Sequence, residues 1–401
     1  MDEGSASRAP SERVGIRVAV ARKVRGWTQA TLAGKAHVSA SLVSQVERGA
    51  VPASPAFVAA SAQALGMTVA DLYDQPAPKW GIERAHVTEL ETAVLEGEDG
   101  AASHLENEAE AVLARVAWLQ RLSRYDESSA VLPDLLRALH AAAAEAPSWH
   151  AEAAHAQLAA AYSCALYCLH RLGSPLTGMA AERYETAAAS AGDPLLAAVA
   201  TASRSVALLH RGAYGAGRQV VVRALRSIED TRDDAFTLAV RGSTHLQLAM
   251  IAARSGDRQQ SDSHIDAARD AARFVPPVDY QQTDYYDTAF SAINVEFHAV
   301  AAAVELGDSA TALQRGTTLA VPPGTMRSRL GHHHIDLAGA WLLHGDRDSA
   351  LAQLNLAREI TPQQTRYHPQ VRETVAAIAV ADRRRTDSLA RFARWAGVAI
   401  A

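Results

Sequence analysis

Between residues 28 and 49, in TQATLAGKAHVSASLVSQVERG, apolar positions recur at the spacing of two short helices. Leu32, Ala33 and Ala36 share one face of the first, and Val43 and Val46 share one face of the second. Those faces can close on each other. Thr28 and Ser39 stand as N-caps, since a hydroxyl accepts from backbone N–H groups that a helix start leaves unpaired, and Gly49 stands where a left-handed residue ends the second helix. The period continues on both sides. Val14, Val18 and Ala21 at i, i+4 and i+7 predict a helix over 11–25 that Gly26 stops, and Ser54 followed by Pro55 predicts another over 55–65 that Gly66 stops. With 68–73 added, a compact helical domain over 11–74 results. Residues 1–10 hold little to bury and predict a disordered tail; QPAPK at 75–79 reads as a linker, within a linker and lead-in over 75–100.

Beyond the lead-in, from 101 to 401, the pattern is helical throughout. Heptad-like apolar spacing runs through 101–122 and 128–146, where Pro147 breaks it. Further on, glycine marks the turn between helices at Gly212, Gly256, Gly307 and Gly345, the last three followed by Asp257, Asp308 and Asp346. Their separations of 44, 51 and 38 residues signal a repeat. Two further helices, over 369–382 and 386–396, flank Arg383, Arg384 and Arg385, a run that reads as a solvated junction.

Composition sharpens this picture. A chain of 401 residues exceeds one core of ordinary size, and 48% hydrophobic residues with only 5% aromatic favour close-packed helices over a β-sandwich. The fold class is all-α. The net charge of −5 hides a division: seven cations (Arg13, Arg17, Arg22, Lys23, Arg25, Lys35, Arg48) face four acids over 11–74, a balance of +3, which leaves the region after it at −7. A basic module is joined to an acidic one, which confines any nucleic-acid footprint to the N-terminal domain. Neither a membrane-spanning run nor a signal segment is visible, so a cytoplasmic protein is expected. Cys164 and Cys168, one helical turn apart among apolar residues, read as buried small side chains.

Ala40, Ser41, Ser44 and Gln45, behind the Ser39 cap, point outward from the second helix of the opening window and are small or amide-bearing, suited to base edges in a major groove. With its flanks, roughly 14–73, the window resembles the phage-repressor and Cro-like helix-turn-helix family, also called the XRE family, through Arg22, GWTQATLA, SLVSQVERG and FVAASAQALGMTVADLY. The resemblance implies a five-helix DNA-binding domain in which Gln29 contacts a phosphate, Ala40, Ser41 and Gln45 face bases, and Arg22 and Glu47 form a structural ion pair. Ala40 departs from the longer polar residue usual there and offers only apolar contact. In the last repeat, HIDLAGAWLLHGDRDSALAQLNLAREITP, Ala338, Trp341, Gly345, Ala350, Leu354, Ala357 and Pro362 stand at tetratricopeptide-repeat spacings, and the earlier copies match in part. The resemblance implies an α-solenoid, its small residues letting stacked helices touch.

The pairing of these two parts is similar to bacterial transcription regulators whose helical repeats sense a signalling peptide. It implies a sequence-specific regulator, a homodimer on an inverted-repeat operator of double-stranded DNA, controlled by a peptide, small metabolite or protein partner. An adaptor with a vestigial DNA-binding domain is the alternative. A solenoid groove would be lined by Tyr286, Phe290, Asn294, Phe297 and His298 from one repeat and His333 and His334 from another; the other reading of these rings is core. Phosphate-cradling GxxxxGK[ST], HExxH and GxSxG signatures do not occur, and a non-enzyme without cofactor is expected. The run His332, His333, His334 fans out by about 100° per residue, which suits a polar groove lining better than a metal site.

Overall fold

The computed structural model describes residues 14–51, 53–67, 69–73, 84–100, 105, 108–276, 286–381 and 387–398, and no strand occurs among them. The expected tail at 1–10, the linker at 75–79 and Arg383 to Arg385 lie outside the described residues.

Five helices make the N-terminal domain: α1 (Val14–Val24), α2 (Gln29–Ala36), α3 (Ala40–Glu47), α4 (Pro55–Leu65) and α5 (Val69–Tyr73). The starts of α2, α3 and α4 are capped as hydroxyl chemistry dictates. Thr28 accepts from the Thr31 N–H, Ser39 from Leu42 and Ser54 from Phe57, at 3.0, 3.1 and 3.2 Å. The turn between α2 and α3 passes through His37 in the left-handed region, φ 54°. Val14, Val18, Leu32, Val43, Phe57, Val58 and Leu72 are fully or almost fully buried and form a core of the domain's own. α1 crosses α3 so closely that a Cβ on Gly15 would lie 2.1 Å from the Val46 carbonyl oxygen. Because backbone cannot yield as a side-chain tip does, Gly15→Ala is expected to cost about 1–3 kcal/mol. An unchanged melting temperature for this domain in the variant would show that the two helices separate freely.

The remainder is a helical array: α6 (Arg84–Glu96), α7 (Ala109–Arg121), α8 (Tyr125–Glu145), α9 (Ala151–Arg171), α10 (Thr177–Ser190), α11 (Pro194–Ser203), α12 (Ser205–His210), α13 (Tyr214–Ser227), α14 (Ala235–Arg254), α15 (Arg258–Ala272), α16 (Ala292–Glu305), α17 (Ser309–Thr317), α18 (Arg327–His344), α19 (Arg347–Ile360), α20 (Pro362–Tyr367), α21 (Pro369–Ala381) and α22 (Asp387–Ala396). Sequential helices pair as antiparallel hairpins, most extensively α9 with α10, α14 with α15 and α18 with α19. The glycine–aspartate steps explain the hairpins. Gly256, Gly307 and Gly345 adopt φ of 77°, 73° and 98°, which ends one helix, and the next residue caps the following one. Asp257, Asp308 and Asp346 accept from the N–H groups of Gln260, Thr311 and Ser349 at 3.0, 3.0 and 2.9 Å.

From Arg84 the lead-in is a helix, with Leu90, Ala93 and Val94 buried against α8. Val87, Leu90 and Val94 carry a helical stripe that the surrounding Glu and Thr residues obscure. The helix expected over 101–122 begins only at Ala109, and that expected over 128–146 begins at Tyr125. Cys164 and Cys168 are free thiols buried in the core between α8, α9 and α10.

Candidate DNA-reading face and central cavity

Val43 and Val46 anchor α3 in the core, which leaves Ala40 and Ser41 exposed and Ser44 and Gln45 half-buried on its outer side. Ser39 caps the helix at the same end, and the Gln45 amide lies 3.4 Å from the Ser41 hydroxyl. Behind α3, Arg22 closes a two-point contact with Glu47, Nε donating to Oε1 at 2.6 Å and Nη2 to Oε2 at 2.8 Å, while Nη1 donates to the Trp27 carbonyl at 2.6 Å. The two side chains are only 9% and 5% exposed. Burial pushes the Glu47 carboxyl upward, but hydrogen bonds from Arg22 and Gln29 outweigh it and hold the group below the usual carboxylate range. Gln29, expected on a phosphate, turns its Nε2 to Glu47 Oε2 at 2.8 Å. Lys35 sits over the Trp27 ring, 5.0 Å from its centre, and Arg48 and Lys23 are exposed on the same domain.

The domain rests on the array. Gly212, φ 72°, comes so close to α4 that a Cβ there would lie 2.9 Å from the Ala59 carbonyl oxygen. Tyr214 packs against the domain's core, and Arg17 of α1 reaches Glu373 of α21 at 3.6 Å. Between the two parts lies a cavity of about 250 Å³, with Ala59, Val69 and Tyr73 on one side and Arg171, Tyr214, Arg254, Glu305, His332, Asp336, Gln364 and His368 among the residues opposite.

Its electrostatics are distinctive. Arg254 Nε donates to Glu305 Oε1 at 2.9 Å, a fixed ion pair. Burial, with Glu305 adding to it, pushes the Asp336 carboxyl well above its usual range. Burial likewise pulls the His332 imidazole well below its ordinary value and His368 down to about 3, each assisted by nearby cations. The wall therefore presents an Asp336 carboxyl whose charge burial disfavours, uncharged His332 and His368 imidazoles, amides and phenols around the Arg254–Glu305 pair, with the Arg171 guanidinium among them. Such a surface offers hydrogen bonds together with the positive charge of Arg171.

The groove residues expected from sequence are placed elsewhere, and none lines this cavity. Their spacing presupposed one helical face, yet α16 starts at Ala292 behind a Ser291 cap, so Tyr286 and Phe290 precede the helix. Phe290 is fully buried, and Phe297 stacks on His333 with ring centres 4.5 Å apart. Asn294 is 3% exposed. His298 donates from Nδ1 to the Asn294 carbonyl at 2.8 Å, and burial lowers its pKa to about 4. His334 meets Gln353 at 2.7 Å, and the Tyr286 hydroxyl donates to Asp193 at 2.9 Å. Of the histidine run only His332 faces the cavity. Tyr73, Tyr214, Arg254, Glu305, Asp336 and His368 carried no local signal, because each comes from a different element and only the tertiary fold assembles them.

A helix-turn-helix domain seated on an all-helical repeat array is what these features define. Residues 13–73 match the family model of the helix-turn-helix domain, so the chain carries that domain. Among solved structures, Bacillus thuringiensis PlcR, crystallised in complex with the peptide PapR7 and DNA, aligns over 89% of this chain and 99% of its own at 11% identity, with a TM-score of 0.29. No curated protein sequence matches the chain. No helix among the described residues is long and apolar enough to cross a membrane.

Proposed function

We propose that this protein is a sequence-specific DNA-binding transcription regulator that acts as a homodimer on an inverted-repeat operator and answers to a peptide or small polar metabolite held in the central cavity. The observation that carries the DNA-binding half is the outer side of α3, where Ala40, Ser41, Ser44 and Gln45 stand accessible on a capped helix whose other side is locked in a core. One recognition helix spans too few base pairs to select a site, and a two-fold pair with half-sites one or two helical turns apart supplies the rest. The cavity supports the sensing half. Its wall is shared by both parts of the chain, so an occupant touches the DNA-binding domain and the array together. Its hydrogen-bonding lining suits amide groups.

Gln45→Ala is expected to relax base preference at one operator position at a cost of about 1–3 kcal/mol, while leaving the other positions ranked as before. Binding measured against a panel of singly mutated operators tests this. A variant that kept the full wild-type ranking would remove Gln45 from base readout, and an unaltered cellular activity of Ser41→Ala/Gln45→Ala would favour a protein-docking adaptor instead.

A further inference from the structure

We propose that the array holds a second small-molecule site, remote from the DNA-binding domain and independent of the central cavity, for an amphipathic organic carboxylate. A cavity of about 340 Å³ opens between α8, α9, α10 and the turn that follows α6. That volume lies at the lower end for ligand pockets and suits a metabolite of a few carbons.

The two arginines of this cavity differ in a way that singles one out. Arg137 is held by three carboxylates, Glu89 at 2.7 Å, Glu96 at 2.9 Å and Asp134 at 3.4 Å, so its charge is already matched. Arg183 instead touches only the Leu95 carbonyl, at 3.5 Å, and its buried Nε meets no acceptor among the described residues. The buried Nδ1 of His155 on the same wall also meets no partner among the described residues. A guanidinium cannot shed its proton, and a buried donor left unmatched calls for an acceptor from outside the protein. A carboxylate supplies two acceptor oxygens in the geometry that a guanidinium prefers.

The rest of the wall sets the ligand's body. Ala141, Ala143, Ala144, Leu158 and Ala187 form an apolar side, and His140 is tied to the Tyr162 hydroxyl at 2.6 Å. Glu98, at the exposed rim, adds a like charge that disfavours an anion with a second negative group. The Arg183 guanidinium lies against Gly97, φ 57°, where a Cβ would stand 2.7 Å from the guanidinium carbon. A monocarboxylate with a short hydrocarbon tail fits all of these.

The test is calorimetric titration of the full-length protein with hexanoate, 1-hexanol and inorganic phosphate. Hexanoate is expected to bind saturably at one site, and hexanol and phosphate at least tenfold more weakly. Arg183→Gln should weaken hexanoate at least tenfold, and Ala144→Trp, a change at an exposed rim position that plugs the mouth, should abolish binding. Arg254→Gln, in the central cavity, should leave it unchanged. No saturable hexanoate binding, phosphate binding as tight as hexanoate, or hexanoate binding that survives Ala144→Trp would each overturn the site. If Arg183→Gln fails to fold, Ala144→Trp alone decides.

Discussion

Replacing Arg22 with alanine is expected to melt the DNA-binding domain well before the array, at a cost of roughly 3–5 kcal/mol, because it strands a buried carboxylate. Both partners are nearly inaccessible, and Arg22 also satisfies the Trp27 carbonyl, so three hydrogen bonds vanish together. Glu47 would be left with Gln29 alone. Hydrogen exchange resolved by helix is the measurement, and equal protection of α2 and α3 in variant and wild type would refute the assignment. A pH dependence follows from the same contact. The folded-state pKa of Glu47 lies below its ordinary value of 4.5, so the stabilisation is fully present above that value and is lost as pH falls through the lower folded one. The wild-type domain should loosen in acid, and in Arg22→Ala this part of the acid response should shrink.

The second large effect is expected at Gly212, where the array meets α4 beside the central cavity. Gly212→Ala is expected to push α4 off the array and to erase the signal response, for which a coupling of ~1–3 kcal/mol, about 5- to 150-fold in operator affinity, is typical. Gly256→Ala is the matched control. Both glycines have a left-handed φ, 72° and 77°, so both variants carry similar backbone strain, but a Cβ at 256 meets nothing within 4 Å whereas one at 212 meets the Ala59 carbonyl. Operator affinity of each full-length protein, with and without extract of the native cell, separates the two. A response in Gly212→Ala equal to that of Gly256→Ala would mean that the Gly212 contact transmits nothing.

Sequence reasoning reached the DNA-binding domain because its determinants are local. Each cap and its N–H lie three residues apart, and the buried positions of α2 and α3 repeat at helical spacing. The same holds for the glycine–aspartate steps of the array, whose two adjacent residues end one helix and cap the next. Contacts between distant segments were legible only where a resemblance supplied them, as for Arg22 and Glu47. Arg254 and Glu305 are 51 residues apart and nothing in either helix announces the other. Asp336 sits in HHHIDLAG, where a carboxylate reads as solvated, yet it is 7% exposed. The histidine run shows the limit most directly: helical rotation said that the three rings diverge, but which of them meets the cavity depends on how α18 is set against its neighbours. The aromatic spacing from Tyr286 misled for a related reason, since periodicity has meaning only inside one helix and the Ser291 cap interrupts it.

The two thiols of α9 bear on how motion between the DNA-binding domain and the array can be watched. Burial pushes the Cys168 thiol up to about 12 and Cys164 up as well, and both side chains are shielded from solvent. Since the thiolate is the species that attacks electrophiles, neither competes for a maleimide dye at neutral pH. Cysteines introduced at Val24, 80% exposed on α1, and at Phe274, 72% exposed just beyond α15, would then be the reactive pair among the described cysteines. Fluorescence energy transfer between them reads the separation of the two parts in a protein whose native thiols need not be removed.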